Sequence, residues 1–377
     1  MALTDKLTSI ANAIREKGGT TEKLTLDAMP TAIAALSTGG GDDKVPNPIE
    51  YTGDLYYLFE HGRNTFLLQY YIDRIKIDSP TQLGYAFNWV KEAEKAPSIT
   101  NSKNVVCSWD SCFKYGNFKE IGDIDNFNAS KAADLFSSCQ YLKHCPNFTG
   151  TFACAPTNTY SGFGSWFKDC YSIRTISPVV LANITNTSTS STYVPYCYMF
   201  KQCFALDEIV GLNVIQTAYT TNVFSETFTA CSRLKRLTFK TKEDGTPYTA
   251  NWKGQTISLY DAVGWLSYPD SYITGYNSGI TKDKKITMID GNYHALKNDP
   301  DCYTGDPIYS RFNHDSAVEF INSLPDTSKY LADMGGTNTV KFRNNAGSNT
   351  DGGGIGSLTE EEIAVAVAKG WSITYGV

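Results

Sequence analysis

Ten cysteines, four histidines and a scatter of carboxylates are the residues from which metal, redox or nucleophilic chemistry could be built in this chain. Cys/His metal sites use C-x-x-C or H-x-x-x-H spacings, because two ligands on one turn must converge on one ion. Neither spacing occurs: Cys107, Cys145, Cys154, Cys197 and Cys302 form no such pair, and His61, His144, His294 and His314 stand apart. Asp315 follows His314 directly, which does not bring the two side chains together, and it serves better as a helix cap. Gly352 to Gly356 (GGGIG) lacks the Lys-Ser/Thr of a phosphate loop and reads as a plain loop. Paired carboxylates for glycan cleavage depend on a separation that sequence does not state. The expectation is no catalytic residue, no metal and no cofactor.

Binding chemistry has better material. Aromatic residues are 13% of the chain, led by 24 Tyr, and Tyr gives large rigid contact area at low entropic cost. Exposed rings can stack on sugar faces while Asn, Ser and Asp bond hydroxyl groups. The candidate ligand-binding residues are Tyr160, Phe163, Tyr193 and Tyr196 in loops between repeats, with Trp252, Trp265 and Tyr276 as a second choice. The competing role for each is inward packing.

The elements that would position such loops are repeats. Phe136, Cys139, Leu142 and Cys145 are three residues apart, and the step recurs as Phe167, Cys170, Ile173, Ile176, as Phe200, Cys203, Leu206, Ile209, and as Phe228, Cys231, Leu234, Leu237. A degenerate first copy has Trp109 and Cys112, with Phe118 and Ile121 displaced. The marking cysteines lie 27 to 33 residues apart, a period at which units stack to bury apolar faces none can bury alone. Phe-x-x-Cys is expected to be a short helical turn and Leu-x-x-Ile an extended rung, an α/β repeat solenoid of short helix plus strand units. The cysteines are expected to be reduced, buried in register, and to act as small hydrophobes.

Residues 1–36 read as a helical docking or oligomerisation module: Thr4 caps a helix with Leu7, Ile10 and Ile14 on one face, Gly18-Gly19 ends it, and Met29, Ile33 and Leu36 line a second. Residues 37–46 form a Gly-rich linker. Residues 47–105 lack the cysteine pattern and are expected to cap the array, residues 106–240 are the cysteine-marked repeats, and Asn183 to Tyr193 is a Ser/Thr-rich insertion. Residues 241–312 are an aromatic, Gly-rich excursion, and residues 313–377 resume repeat units and close the array. There, Asp315 opens a helix that ends before Pro325, and Thr339 to Phe342 reads as a strand. Thr359 and Glu362 form a capping box, Leu358 and Ile363 a staple, Gly370 a stop, and Trp371 to Tyr375 a last strand.

A net charge of −6 with scattered Lys and Arg disfavours nucleic acid and anionic membranes as partners. No stretch of some 18 apolar residues suits membrane insertion. With no leader pattern at the N-terminus, synthesis is expected in the bacterial cytoplasm, with delivery by lysis or within a particle.

Met199 to Ile209 (MFKQCFALDEI) resembles the unit of the BspA-like leucine-rich-repeat family of bacterial surface proteins, although the copies around Leu135, Trp166 and Thr227 depart before Phe. The stretch LTDKLTSIANAIREKGGTTEKLTLDAMPTAIAAL, the segment Tyr309 to Leu331 and the ending LTEEEIAVAVAKGW are similar to parts of tail-fibre proteins from phages and prophages of Gram-positive gut bacteria. The resemblance implies a leucine-rich-repeat-like solenoid in a virion tail, acting outside the cell as a receptor-binding protein. Its partners would be a host cell-surface glycan or protein, other tail proteins, and copies of itself, with a trimer as one arrangement. A bacterial adhesin and a glycan-degrading tail enzyme are the alternatives. No site residue carries over from the resemblance.

Overall fold

The computed structural model describes residues 12, 49–60, 65–91, 93–154, 163–186, 196–203, 205–214, 223–229, 231, 234–259, 314–343 and 358–376. Apart from Asn12, the module at 1–36 lies outside them, as do the linker at 37–46 and residues 260–312 of the excursion.

The architecture corrects the expected fold class, because the described residues are arranged mainly as parallel sheet with few helices, and their repeats are not helix plus strand units. Strands β1 (Ile49–Asp54), β2 (Ile75–Gln82), β4 (Ile99–Thr100), β7 (Ile124–Lys131), β8 (Phe148–Cys154) and β9 (Ile184–Asn186) pair in that order, all parallel. Strand β5 (Cys107–Ser108) also pairs with β2 and β7, so β2, β4, β7 and β5 form a closed four-strand parallel circuit. A second run pairs β3 (Lys95–Ala96) with β6 (Glu120–Ile121), links His144 to Thr175, and pairs β10 (Glu208–Leu212) with β11 (Arg236–Phe239). Helices with described bounds are few: α1 (Thr65–Ile72), α2 (Pro178–Asn183) and three more near the carboxyl end.

The Phe-x-x-Cys stretches are runs of tight turns rather than helix. The Cys139 N–H bonds the carbonyl of Phe136, and the Leu142 N–H bonds that of Cys139. Ser138, third residue of the first of these turns, has φ +61°, which no α-helix tolerates. Asp169 (φ +61°) and Gln202 (φ +63°) hold the same place in later units. Every second N–H instead reaches the next unit: Asp134 to Gly164, Phe136 to Trp166 and Ser138 to Lys168. One segment thus makes a turn and a ladder at once. Three-residue spacing is common to a helix face and to this turn run, so the sequence pattern did not distinguish them.

Inside, the phenylalanines stack. Phe59, Phe87, Phe113, Phe136, Phe167, Phe200 and Phe228 form one column with centroids 5.3–6.1 Å apart and planes within 24°. The column begins in the stretch expected to be a cap without the cysteine pattern. It also corrects the first copy: Phe113 and Gly116 stand in the Phe and Cys places, while Trp109 packs on Phe127 at 4.9 Å. Leu142, Ile173, Leu206 and Leu234 are buried beside the column.

Cys139, Cys170, Cys203 and Cys231 are buried and free of disulfides, and they are more than small hydrophobes. Each thiol donates to the ladder-Phe carbonyl of the preceding unit: Cys139 to Phe113 (2.9 Å), Cys170 to Phe136 (3.1 Å), Cys203 to Phe167 (3.0 Å) and Cys231 to Phe200 (3.0 Å). Burial pushes the Cys139 and Cys231 thiols up to about 12, so they stay neutral donors.

The carboxyl unit follows its sequence signals closely. Helices α3 (His314–Ser323), α4 (Ser328–Met334) and α5 (Glu360–Ala368) accompany a parallel sheet of β12 (Thr256–Ser258), β13 (Asn338–Arg343) and β14 (Trp371–Gly376). The capping box forms: the Glu362 N–H bonds Thr359 Oγ1 at 3.3 Å, and the Thr359 N–H bonds Glu362 Oε2 at 2.8 Å. Asp315 lies inside the first turn of α3 rather than capping it. Gly370 stops α5 at φ +85°, where a Cβ would sit 2.7 Å from Leu331 and Thr327. The unit closes the array through Phe239 against Phe320 (5.5 Å) and a two-point ion pair of Arg236 with Glu319.

Candidate functional site

The turn run that builds the core also sets what points outward. Two residues before each ladder Phe stand Tyr57, Tyr85, Ser111, Asp134, Ser165, Tyr198 and Glu226, and two residues after it stand Trp89, Tyr115, Ser138, Asp169 and Gln202. All have φ between +50° and +63°. A bulky side chain at positive φ costs on the order of 1–2 kcal/mol, and it persists here because ladder bonds over-determine the backbone. Tyr85 N–H bonds Asp110 O at 3.0 Å, Trp89 N–H bonds Lys114 O at 2.9 Å, and Tyr115 N–H bonds Ser137 O at 2.9 Å.

On the first three rungs four of the five described positions are aromatic, Ser111 being the exception. Tyr57 and Tyr85 lie 5.3 Å apart, Trp89 and Tyr115 4.5 Å apart, and Tyr56 adds an edge to Tyr57 at 4.0 Å and to Tyr85 at 5.7 Å. The two groups of rings, both outside the phenylalanine column on neighbouring rungs, are together termed the ledge. Tyr56, Tyr57 and Trp89 are 43%, 47% and 41% exposed, large values for rings fixed by a stacked scaffold. The hydrogen bond with Tyr57, then burial, raises the Tyr56 hydroxyl to about 12.

Cations flank the ledge and are committed to partners on it. Lys91 Nζ lies 5.2 Å from the Trp89 ring centre and donates to Tyr115 O at 2.6 Å. Burial lowers its pKa. Lys114 Nζ lies 5.3 Å from the Tyr115 ring centre and pairs with Asp134 at 3.2 Å. Tyr198 repeats the arrangement farther along, with Lys168 and Lys201 at 5.7 and 4.9 Å and Lys201 paired to Glu226. Burial and Asp134 raise the Asp110 carboxyl, and burial raises Asp169. The surface offers ring area with polar groups beside it, a combination that binds by stacking and hydrogen bonding.

The residues expected to bind are elsewhere. Phe163, Tyr196 and Trp252 are fully buried, so they pack inward and offer no surface. Phe163 meets Trp166 at 5.0 Å, Tyr196 donates its hydroxyl to Asn213 O at 2.7 Å, and Trp252 lies between Phe224 (5.6 Å) and Trp371 (6.4 Å). Tyr160, Tyr193, Trp265 and Tyr276 lie outside the described residues. Part of the expected loop at 183–193 is strand β9, and the start of the expected excursion supplies β12 to the carboxyl sheet. The signal for the ledge was present as Tyr-x-Phe-x-Trp at 85–89 and Ser-x-Phe-x-Tyr at 111–115, hidden because the first copy was aligned on Trp109.

Among the described residues, no group of three His, Cys, Asp or Glu could hold a metal ion, and no helix is long and apolar enough to cross a membrane. Comparison with known protein families, curated proteins and solved structures finds no match.

Proposed function

We propose that this chain is a non-catalytic attachment protein, a phage tail-fibre component that holds a bacterial host surface on the aromatic ledge. The exposed rings of Tyr57 and Trp89 carry the reading, since the later rungs fill most of the equivalent positive-φ positions with small or polar residues (Ser, Asp, Gln and Glu) and so fold without rings there. The array supports it by fixing those rings on a ladder of backbone bonds, which lowers the ordering cost of binding. The acidic net charge favours an uncharged partner over nucleic acid. In this reading residues 1–36 join copies of the chain or dock on other tail proteins.

The test is attachment of full-length protein to intact candidate host cells, before and after removal of surface polysaccharide. Trp89→Gly and Tyr57→Ala together should abolish attachment, and the first change should leave the melting temperature unchanged or raise it by relieving φ +58°. Full attachment by the double variant would overturn the ledge as the binding surface.

A further inference from the structure

We infer that the ledge takes a linear, uncharged glycan laid across successive rungs, and that Gly84 is a positioning residue that seats Tyr56 for it. The inference rests on the reading of the ledge as a sugar-binding surface.

Direction comes from the columns. Tyr57 stands beside Tyr85 and Trp89 beside Tyr115 in the direction in which the units stack, so ring area extends along the array and not around one point. A chain of sugars meets more of that area as it lengthens, whereas a single terminal sugar meets one pair. Selectivity for an uncharged chain follows from the partners already made. Lys114 is held by Asp134, and Lys91 is held by Tyr115 O and, at 3.4 Å, by Asn117 Oδ1. With its acceptors already in place, each cation adds less for an anionic polymer than a free ammonium would, and Asp134 beside Lys114 repels one, while hydroxyl groups can share the same contacts.

Gly84 decides where the third ring stands. A Cβ there would lie 2.7 Å from Cε2 and 3.0 Å from Cδ2 of Tyr56, with Asp110 O next at 3.7 Å. One edge of the ring is thus seated on the space that the glycine leaves, and an upright ring offers its face to a ligand beside it. Asp54 fixes the other end of the residue, accepting the Tyr56 N–H at 2.9 Å. Alanine at 84 would push the ring off its seat, since the obstructed group is a side chain that can turn toward solvent.

Full-length protein is titrated by calorimetry with cello- and chito-oligosaccharides of graded length, from monosaccharide to hexasaccharide, and with an oligogalacturonate as the anionic probe. Affinity should rise with length for a neutral series and be absent for the anionic one. Gly84→Ala should weaken hexasaccharide binding about tenfold at unchanged melting temperature. In a Tyr56→Ala background it should cost nothing further, the result a merely structural role would not give. Affinity independent of length, preference for the anionic probe, or an undiminished Gly84→Ala effect without Tyr56 would overturn the inference. Host-cell attachment that needs Tyr57 and Trp89 while no neutral oligosaccharide binds would overturn it and leave the attachment reading standing. Loss of both overturns both.

Discussion

In the carboxyl-terminal unit the N–H groups of α5 bond within their own helix, and the helix ends are closed by Thr359, Glu362 and Gly370. In the array, every second N–H leaves its own segment for the next unit. Both regions bury apolar side chains three residues apart, but the first completes its backbone bonding locally and the second cannot. A helix announces itself through its ends, because unsatisfied N–H groups there select Thr, Glu and Gly by type. A turn run stacked on neighbours has no such ends. Its signature is a column of like residues at unequal intervals, 23 residues from Phe113 to Phe136 but 33 from Phe167 to Phe200.

The comparison breaks first at the column. Phe136→Ala should cost about 3–5 kcal/mol in denaturant unfolding, since its ring stacks on Phe113 and Phe167 and its loss opens a cavity between units. A loss below about 1 kcal/mol would mean that the units do not depend on one another. Thr359→Ala should cost about 1 kcal/mol, because the array's closing helix loses one end while each ladder bond survives. A loss as large as that at Phe136 would put the carboxyl unit, not the column, at the centre of stability.

Cys203→Ser sharpens the comparison at smaller amplitude. With no partner assured, a buried hydroxyl would cost on the order of 1–3 kcal/mol, but Phe167 O stands ready to accept from it. The expected cost is therefore below about 1 kcal/mol, with the larger loss falling on Cys203→Ala, which nearly matches serine in volume but removes the donor. The reverse order would show that the cysteine ladder acts by filling space.

The smallest effect is a pH dependence confined to the carboxyl unit. His314 Nε2 lies 3.0 Å from Glu362 Oε2, and this hydrogen bond raises the imidazole above its ordinary value. A raised folded pKa means that the contribution is full below the unfolded value of about 6.5 and is lost as pH rises through the folded one. The melting-temperature difference between wild type and His314→Gln should therefore shrink from about pH 5 to pH 9. A difference that grows with pH would remove the contact from the account.

The ledge was the least legible part in advance. Tyr85 and Trp89 are readable as a pair only once Phe87 is known to be a ladder residue, and Phe87 lies in a stretch without a marking cysteine. Val90 and Gly116 replace that cysteine on the rungs that carry the rings. Aromatic content pointed instead to Phe163 and Tyr196 in loops between repeats and to Trp252 in the excursion, whose large apolar surfaces are worth more inside than out.

By itself the sequence determined that the four units marked by Cys139, Cys170, Cys203 and Cys231 recur with those cysteines in register, where α5 begins and ends, and where β14 begins, because composition, period and helix caps act through neighbours in the chain. Only the tertiary structure decided that the three-residue spacing becomes turns and parallel sheet, and that Phe59 and Phe87 join the column. It also decided that Tyr56, Tyr57 and Tyr85 meet, and that Trp89 meets Tyr115. Those outcomes depend on bonds between units some 23 to 33 residues apart, whose register is set by the packing of one unit on the next and by no local preference.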